Sequence, residues 1–159
     1  MKILFLDVDD VLNHYGTEDR VKHNDGSPYY ILSTTDKTYR GLDEFRLRYL
    51  HEIISKTSCK IVMCSSWRTD TICMDYIKKR LGKELSAQII DSTIDSQGKL
   101  SRADEIRDWL SKNADVEKFV VLDDSDWNDL DGFGEFWVHP ETFNGMDESH
   151  RDAVIKKLS

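Results

Sequence analysis

Ile3-Leu4-Phe5-Leu6-Asp7-Val8-Asp9-Asp10-Val11-Leu12-Asn13 starts as one kind of structure and finishes as another. Ile3 to Leu6 is a continuous apolar run, the pattern of a strand buried on both faces of a parallel sheet. Three carboxylates follow within four residues: Asp7, Asp9 and Asp10. In an extended chain Asp7 and Asp9 share one face, and the bend past the strand end can aim one of them differently. Carboxylates this close repel, and at least one pKa rises unless a cation sits between them. The stretch therefore asks for a divalent metal, a shared proton, or both.

The rest of the chain is read outward from this strand. Its 159 residues favour one domain with a single core. The hydrophobic fraction is 39% and the charged fraction 33%, yet the apolar residues fall in strand-like runs and helical stripes rather than a disordered scatter. A net charge of −8 argues against tight binding to the backbone of a long nucleic acid. No apolar run reaches the length of about 18 residues that a membrane span needs. The start of the chain has no signal-peptide pattern. Cys59, Cys64 and Cys73 are odd in number and lack the spacing of a zinc site. A reduced, cytoplasmic protein without an obligate protein partner is the expectation.

Asn13 to Arg40 is a polar connection, expected to be a small insertion or lid loop at residues 13–40. Tyr29 to Leu32 and Thr38-Tyr39 suggest a hairpin around Thr35-Asp36-Lys37. Leu42 to Lys56 repeats apolar residues at helical spacing, Phe45 and Tyr49 among them. Lys60 to Cys64 reads as the second strand and ends at Ser65-Ser66-Trp67-Arg68. Thr69 or Asp70 caps the next helix, which Gly82 stops. Ala87 to Ile90 is a third strand. Ser101 with Asp104 resembles a capping box before a helix bearing Ile106, Trp109 and Leu110. Lys118 to Leu122 is a fourth strand ending at Asp123-Asp124, Phe136 to Val138 a fifth, and Asp147 caps a last helix. Strand–helix alternation implies an α/β fold: a three-layer, Rossmann-like arrangement around a central parallel sheet of about five strands. No large cap domain fits within this length.

Ligands of such sheets bind beyond the carboxyl ends of the strands. Those ends carry Asp7 and Asp9, then Ser65 and Ser66, then Asp123 and Asp124, with Arg102 opening the helix before the fourth strand. This ordered set resembles the four motifs of the haloacid dehalogenase (HAD) superfamily of phosphatases and phosphotransferases. The first motif commonly reads DxDG, and Asp10 stands where Gly is usual. The Ser65-Ser66-Trp67-Arg68 run and the short, cap-free length also resemble the small HAD domains of Swiss Army Knife RNA repair proteins, regarded as end-processing phosphatases.

The resemblance implies roles that suit the chemistry of anionic esters. Magnesium would be held by Asp7, Asp123 and the main-chain carbonyl of Asp9, with Asp124 orienting its water or serving as a further ligand. Asp7 would attack phosphorus to form an aspartyl-phosphate. Asp9 would protonate the leaving oxygen and then take a proton from water. Ser65, with Ser66 beside it, would grip the phosphoryl group, and Arg102 would balance its charge. Since the family usually has Lys at that motif, Lys99 is the rival to Arg102. Trp67 and Arg68 could touch a substrate base and phosphate by stacking and pairing; for Trp67 core packing is the favoured reading. His14 reads as a surface histidine.

The function expected is a magnesium-dependent phosphohydrolase acting on a phosphomonoester: a nucleotide, a nucleic-acid end or a small metabolite. In residues 13–40, His14, Arg20, Lys22 and His23 would attract a phosphate-rich substrate and Tyr29 and Tyr30 would stack on a base; the other reading is a hairpin shielding the sheet edge. Two alternatives stay open. A receiver-like signalling domain would use Asp9-Asp10 with Asp91 as the phosphorylated residue, though the fifth strand ends at His139-Pro140 without the Lys that receivers place there. An inactive phosphate-binding domain would keep the fold without turnover.

Overall fold

A computed structural model describes residues 1–22, 38–97, 99–126 and 129–159. Strand β1 (Lys2–Leu6) lies at the centre of a five-stranded parallel sheet with β4 (Lys60–Met63), β5 (Ile89–Ser92), β6 (Lys118–Leu122) and β7 (Trp137–Val138), in the order β5-β4-β1-β6-β7. Leu4 pairs with Ile61 on one side and with Val120 on the other. From β1 the chain first winds outward through β4 and β5, then returns to the other side of β1 for β6 and β7. The order therefore reverses between β1 and β6, where an open α/β sheet forms its binding crevice.

Both faces of β1 are buried, as its unbroken apolar run requires. Leu4 and Leu6 face α1 (Glu44–Thr57), α2 (Thr71–Ser86) and α4 (Glu148–Leu158), through Leu50, Ile53, Ile77 and Val154. Ile3 and Phe5 face α3 (Arg102–Lys112) and the segment before β7, through Ile106, Trp109 and Phe133. The Phe5 and Trp109 rings meet edge to face at 5.4 Å between centroids. These are the three layers that the strand–helix alternation implies.

The caps follow the side-chain chemistry. Asp43 Oδ1 accepts from the backbone N–H groups of Phe45 and Arg46 at the start of α1. Asp70, rather than Thr69, does the same for Ile72 and Cys73 at α2. Ser101 Oγ accepts from the Asp104 N–H at 3.1 Å, and Asp147 caps α4 in a capping box completed by His150.

Several boundaries differ from the sequence reading. The third strand runs from Ile89 to Ser92, because Ala87 still closes the preceding helix, with its N–H on the Lys83 carbonyl. As an edge strand, β5 tolerates the polar Asp91 and Ser92. Gly82 has φ 73° and ψ 173°, so it breaks the helix, but helical turns resume as far as Ser86. Phe136 belongs to a 3-10 turn, and only Trp137 and Val138 pair with β6. Phe45 is 58% exposed with the Arg48 guanidinium 5.3 Å above its ring, so it is no part of the core stripe. In the 13–40 connection, β2 (Arg20–Lys22) pairs antiparallel with β3 (Thr38–Arg40). Thr38 and Tyr39 pair with Lys22 and Val21; the suggested hairpin partner, Tyr29 to Leu32, and the turn at 35–37 lie outside the described residues. Among the described residues no helix is long and apolar enough to cross a membrane.

Candidate active site

The ladder of β1 continues past its last residue. The Asp7 N–H donates to the Leu122 carbonyl at 3.0 Å, and the Cys64 N–H donates to that of Leu6 at 3.0 Å. On the far side, the Asp123 N–H donates to the Val138 carbonyl at 3.3 Å. Backbone pairing therefore fixes Asp7 and Asp123 side by side at the crevice between β1 and β6. Carboxylate oxygens of Asp7, Asp123 and Asp124 lie within 4.8 Å of one another. Asp123 is 0% and Asp7 6% exposed, so water offers little compensation.

Among the described residues one cation stands beside them. The Arg102 guanidinium, at the first residue of α3, lies 3.2 Å from Asp123 Oδ2 and 3.6 Å from Asp7 Oδ1, and donates to the Cys64 carbonyl. Burial works against its charge, but Asp123 and Asp7 hold it firmly protonated. Of the two rivals for the basic position, Arg102 reaches the carboxylates, whereas Lys99 is exposed on the preceding loop.

Three carboxylates against one guanidinium leave the cluster short of positive charge. Burial first, then Asp123, pushes the Asp7 pKa well above its ordinary value, and Arg102 only partly offsets this. Asp124 is raised to about 6, again by burial and then by Asp123, while a hydrogen bond with the Thr142 side chain opposes the shift. An all-oxygen donor set with uncompensated negative charge fits a hard divalent cation such as magnesium. Cys64 borders the cluster, with its thiol donating to Asp123 Oδ2 at 3.6 Å, and burial raises its pKa strongly.

Asp9 is held apart from this group. Its Oδ1 accepts from Asn13 Nδ2 at 3.0 Å and its Oδ2 from the Trp67 indole Nε1 at 2.8 Å. Burial raises its pKa, and these two donors pull it back. Asp10 takes a left-handed conformation at φ 52°, which explains why glycine suits the position. The Asp10 N–H donates to Asn13 Oδ1, and the Asp10 carboxylate forms a buried ion pair with Arg40 at 2.8 Å. Arg40 ends β3, so this pair ties one end of the connection to the first motif.

Ser65 and Ser66 begin the turn beyond β4. Ser65 is buried and its Oγ accepts from the Trp67 N–H at 3.3 Å, while Ser66 is exposed. Arg68 is committed to structure. It donates to the carbonyls of Cys64, Ser65, Thr93 and Ile94 and pairs with Glu105 at 2.8 Å, so the reading of Arg68 as a substrate contact gives way to a structural one. Trp67 is 4% exposed, as core packing requires, but its N–H reaches a candidate catalytic group. Asp91 receives the Trp109 indole N–H at 2.7 Å and stands outside the carboxylate cluster, which removes the receiver-like arrangement.

His14 Nδ1 accepts from the Gly16 N–H, and its Nε2 lies 3.4 Å from Asp43. With His139, His150 and Arg46 it lines a cavity of about 690 Å³ beside the site. Arg20 and Lys22 lie in β2; His23, Tyr29 and Tyr30 fall outside the described residues. Asn13, Arg40 and Thr142 are the contributors that sequence reasoning assigned no role. Asn13 sits in the first motif and its amide was its one visible signal; Arg40 and Thr142 gave none.

A search of curated proteins gave no match. Residues 3–151 match the family described as the HAD domain in Swiss Army Knife RNA repair proteins, and since this takes in all the strand ends just described, the chain belongs to that family and to the HAD superfamily.

Proposed function

We propose that the protein is a magnesium-dependent phosphomonoester hydrolase working through an aspartyl-phosphate on Asp7. The observation that carries this reading is the meeting of the Asp7, Asp123 and Asp124 carboxylates with Arg102 at the crevice between β1 and β6. Asp7, Asp123 and Asp124, with the Asp9 carbonyl, would hold the metal. When bound it supplies positive charge that lets an anionic carboxylate approach an anionic phosphate.

The chain's own groups account for the remainder. An Asp7 oxygen attacks phosphorus as the bond to the leaving oxygen breaks. Asp9, kept protonated more readily by burial, gives its proton to that oxygen. Water then attacks phosphorus, Asp9 recovers a proton, and phosphate leaves with Asp7 regenerated. Arg102 and Ser65 bear on the phosphoryl oxygens, with Ser66 at the exposed side.

The substrate is a nucleotide, a nucleic-acid end or a small phosphorylated metabolite. The family description names RNA repair proteins, so phosphorylated RNA ends are the first to test. A cytoplasmic setting agrees with three free, buried cysteines. Turnover of p-nitrophenyl phosphate with magnesium, lost with EDTA and lost in Asp7→Asn, is the expected result. No turnover under any of these conditions would leave the inactive phosphate-binding domain as the better account. A panel of nucleotides, phosphorylated oligonucleotides and sugar phosphates then ranks substrates.

A further inference from the structure

Trp67 has a buried ring and a committed N–H. The ring is packed in the core, with its centroid 6.3 Å from that of Tyr76. Its backbone N–H is fixed by Ser65 Oγ, and the 3-10 turn Ser66–Thr69 fixes its direction. The indole N–H is therefore a donor whose position is set by the core and by the loop beyond β4. It ends on Asp9 Oδ2 at 2.8 Å, across 58 residues of sequence. Asn13 Nδ2 takes the other oxygen at 3.0 Å. Two donors, one on each oxygen, define the plane of the carboxyl group. One lone-pair direction on each oxygen is thereby used, and a transferable proton is confined to what remains.

We propose that Trp67 is a positioning residue for proton transfer by Asp9, tying the acid–base group to the turn that carries Ser65. The inference rests on the phosphatase reading of the site. A single turn would thus set both the grip on the phosphoryl group and the orientation of the acid, so the leaving oxygen is met from a fixed direction. Proton transfer needs hydrogen-bond reach and alignment, and small misplacements at such a group cost rate rather than binding. A purely structural reason also exists, since a buried indole N–H needs an acceptor. The two accounts differ in how a loss depends on the leaving group.

Trp67→Phe keeps a ring in the core and removes the donor. Turnover of wild type and variant is compared on p-nitrophenyl phosphate, whose leaving group needs little protonation, and on glycerol phosphate, whose alkoxide needs a proton. The kcat on glycerol phosphate should fall about 10- to 100-fold with KM nearly unchanged, and the kcat on p-nitrophenyl phosphate should fall much less. Equal losses on both substrates, or no loss on either, overturn the proposal. A wild type inactive on both substrates instead sinks the phosphatase reading, and the role of Trp67 with it. A measurement on the indole itself covers a Trp67→Phe chain that fails to fold. The assigned Trp67 indole N–H resonance should move upfield in Asp9→Ala, which removes the acceptor; an unchanged resonance overturns the proposal.

Discussion

Two buried charge clusters touch α3 one turn apart, and they are built on opposite principles. Around Glu105 the charged groups are satisfied. Its Oε2 accepts from Arg68 at 2.8 Å, its Oε1 accepts from the Ser96 N–H and hydroxyl, and the other Arg68 donors reach four carbonyls. One cation meets one anion. Among the described residues the Arg102 guanidinium pairs with Asp7 and Asp123, Asp124 adds a third carboxylate beside them, and both Asp7 and Asp124 are raised above their ordinary values. The first cluster is complete within the chain and holds the loop beyond β4 against α3. The second is left short of positive charge by the described residues, and under the proposed function a metal ion would supply it.

Removing charge should therefore have opposite consequences in the two places. Asp7→Asn should reduce phosphatase turnover by about 1000-fold or more, because an amide does not act as the nucleophile. The same change should raise the melting temperature of the metal-free protein, since it relieves like-charge repulsion. Steady-state kinetics and a thermal melt on one preparation check both halves. A variant that lost activity and also melted lower would break the contrast. At the other cluster, Glu105→Ala strands a buried Arg68 and should cost about 3–5 kcal/mol of stability, read by urea denaturation. A cost within experimental error there would show the network to be incidental.

Metal and pH sharpen the same contrast by smaller amounts. Magnesium at about 100 times its Kd should stabilise the protein by about 2.7 kcal/mol, and Asp124→Asn should weaken that gain. The Asp124 pKa is raised to about 6 in the fold. Its proton uptake thus favours the folded state fully below the unfolded value of about 3.9, and that contribution is lost as pH rises through about 6. Without metal, wild type should lose more of its melting temperature between pH 5 and pH 7.5 than Asp124→Asn does. The magnesium-induced rise should be larger at pH 7.5, where its ligands are ionised. Melts at two pH values, with magnesium and with EDTA, give all of these differences. The smallest effect concerns Asp10→Gly. Relief of the left-handed backbone at φ 52° opposes the stranding of Arg40, so the variant should be destabilised and Asp10→Gly with Arg40→Leu should recover part of the loss.

What the sequence disclosed follows the range of the forces involved. β1 and the acids after it were legible because a doubly buried strand needs an unbroken apolar run, and a carboxylate cluster directly after one has few structural uses. Arg102 was legible only as one of two basic residues; the helix start capped by Ser101 aims it at the crevice, while Lys99 stays on the loop. Substrate contact by Arg68 was open from the sequence alone, because no local pattern shows that its planar fork satisfies carbonyls of two loops. The Trp67–Asp9 and Arg40–Asp10 contacts join residues 58 and 30 positions apart, and no local pattern encodes such a meeting. The edge strand β5 shifted by two residues because an exposed strand lacks the apolar run that marked the central ones.

Under the proposed function Asp7 is the nucleophile once a metal ion offsets the charge of its cluster. Acid quenching during turnover of p-nitrophenyl phosphate with magnesium, followed by fragmentation mass spectrometry, tests it directly. One phosphoryl group on Asp7, removable by hydroxylamine and absent in Asp7→Asn, is the predicted result. A phosphoryl group on another residue, or an Asp7→Asn variant that turns over like wild type, would contradict it.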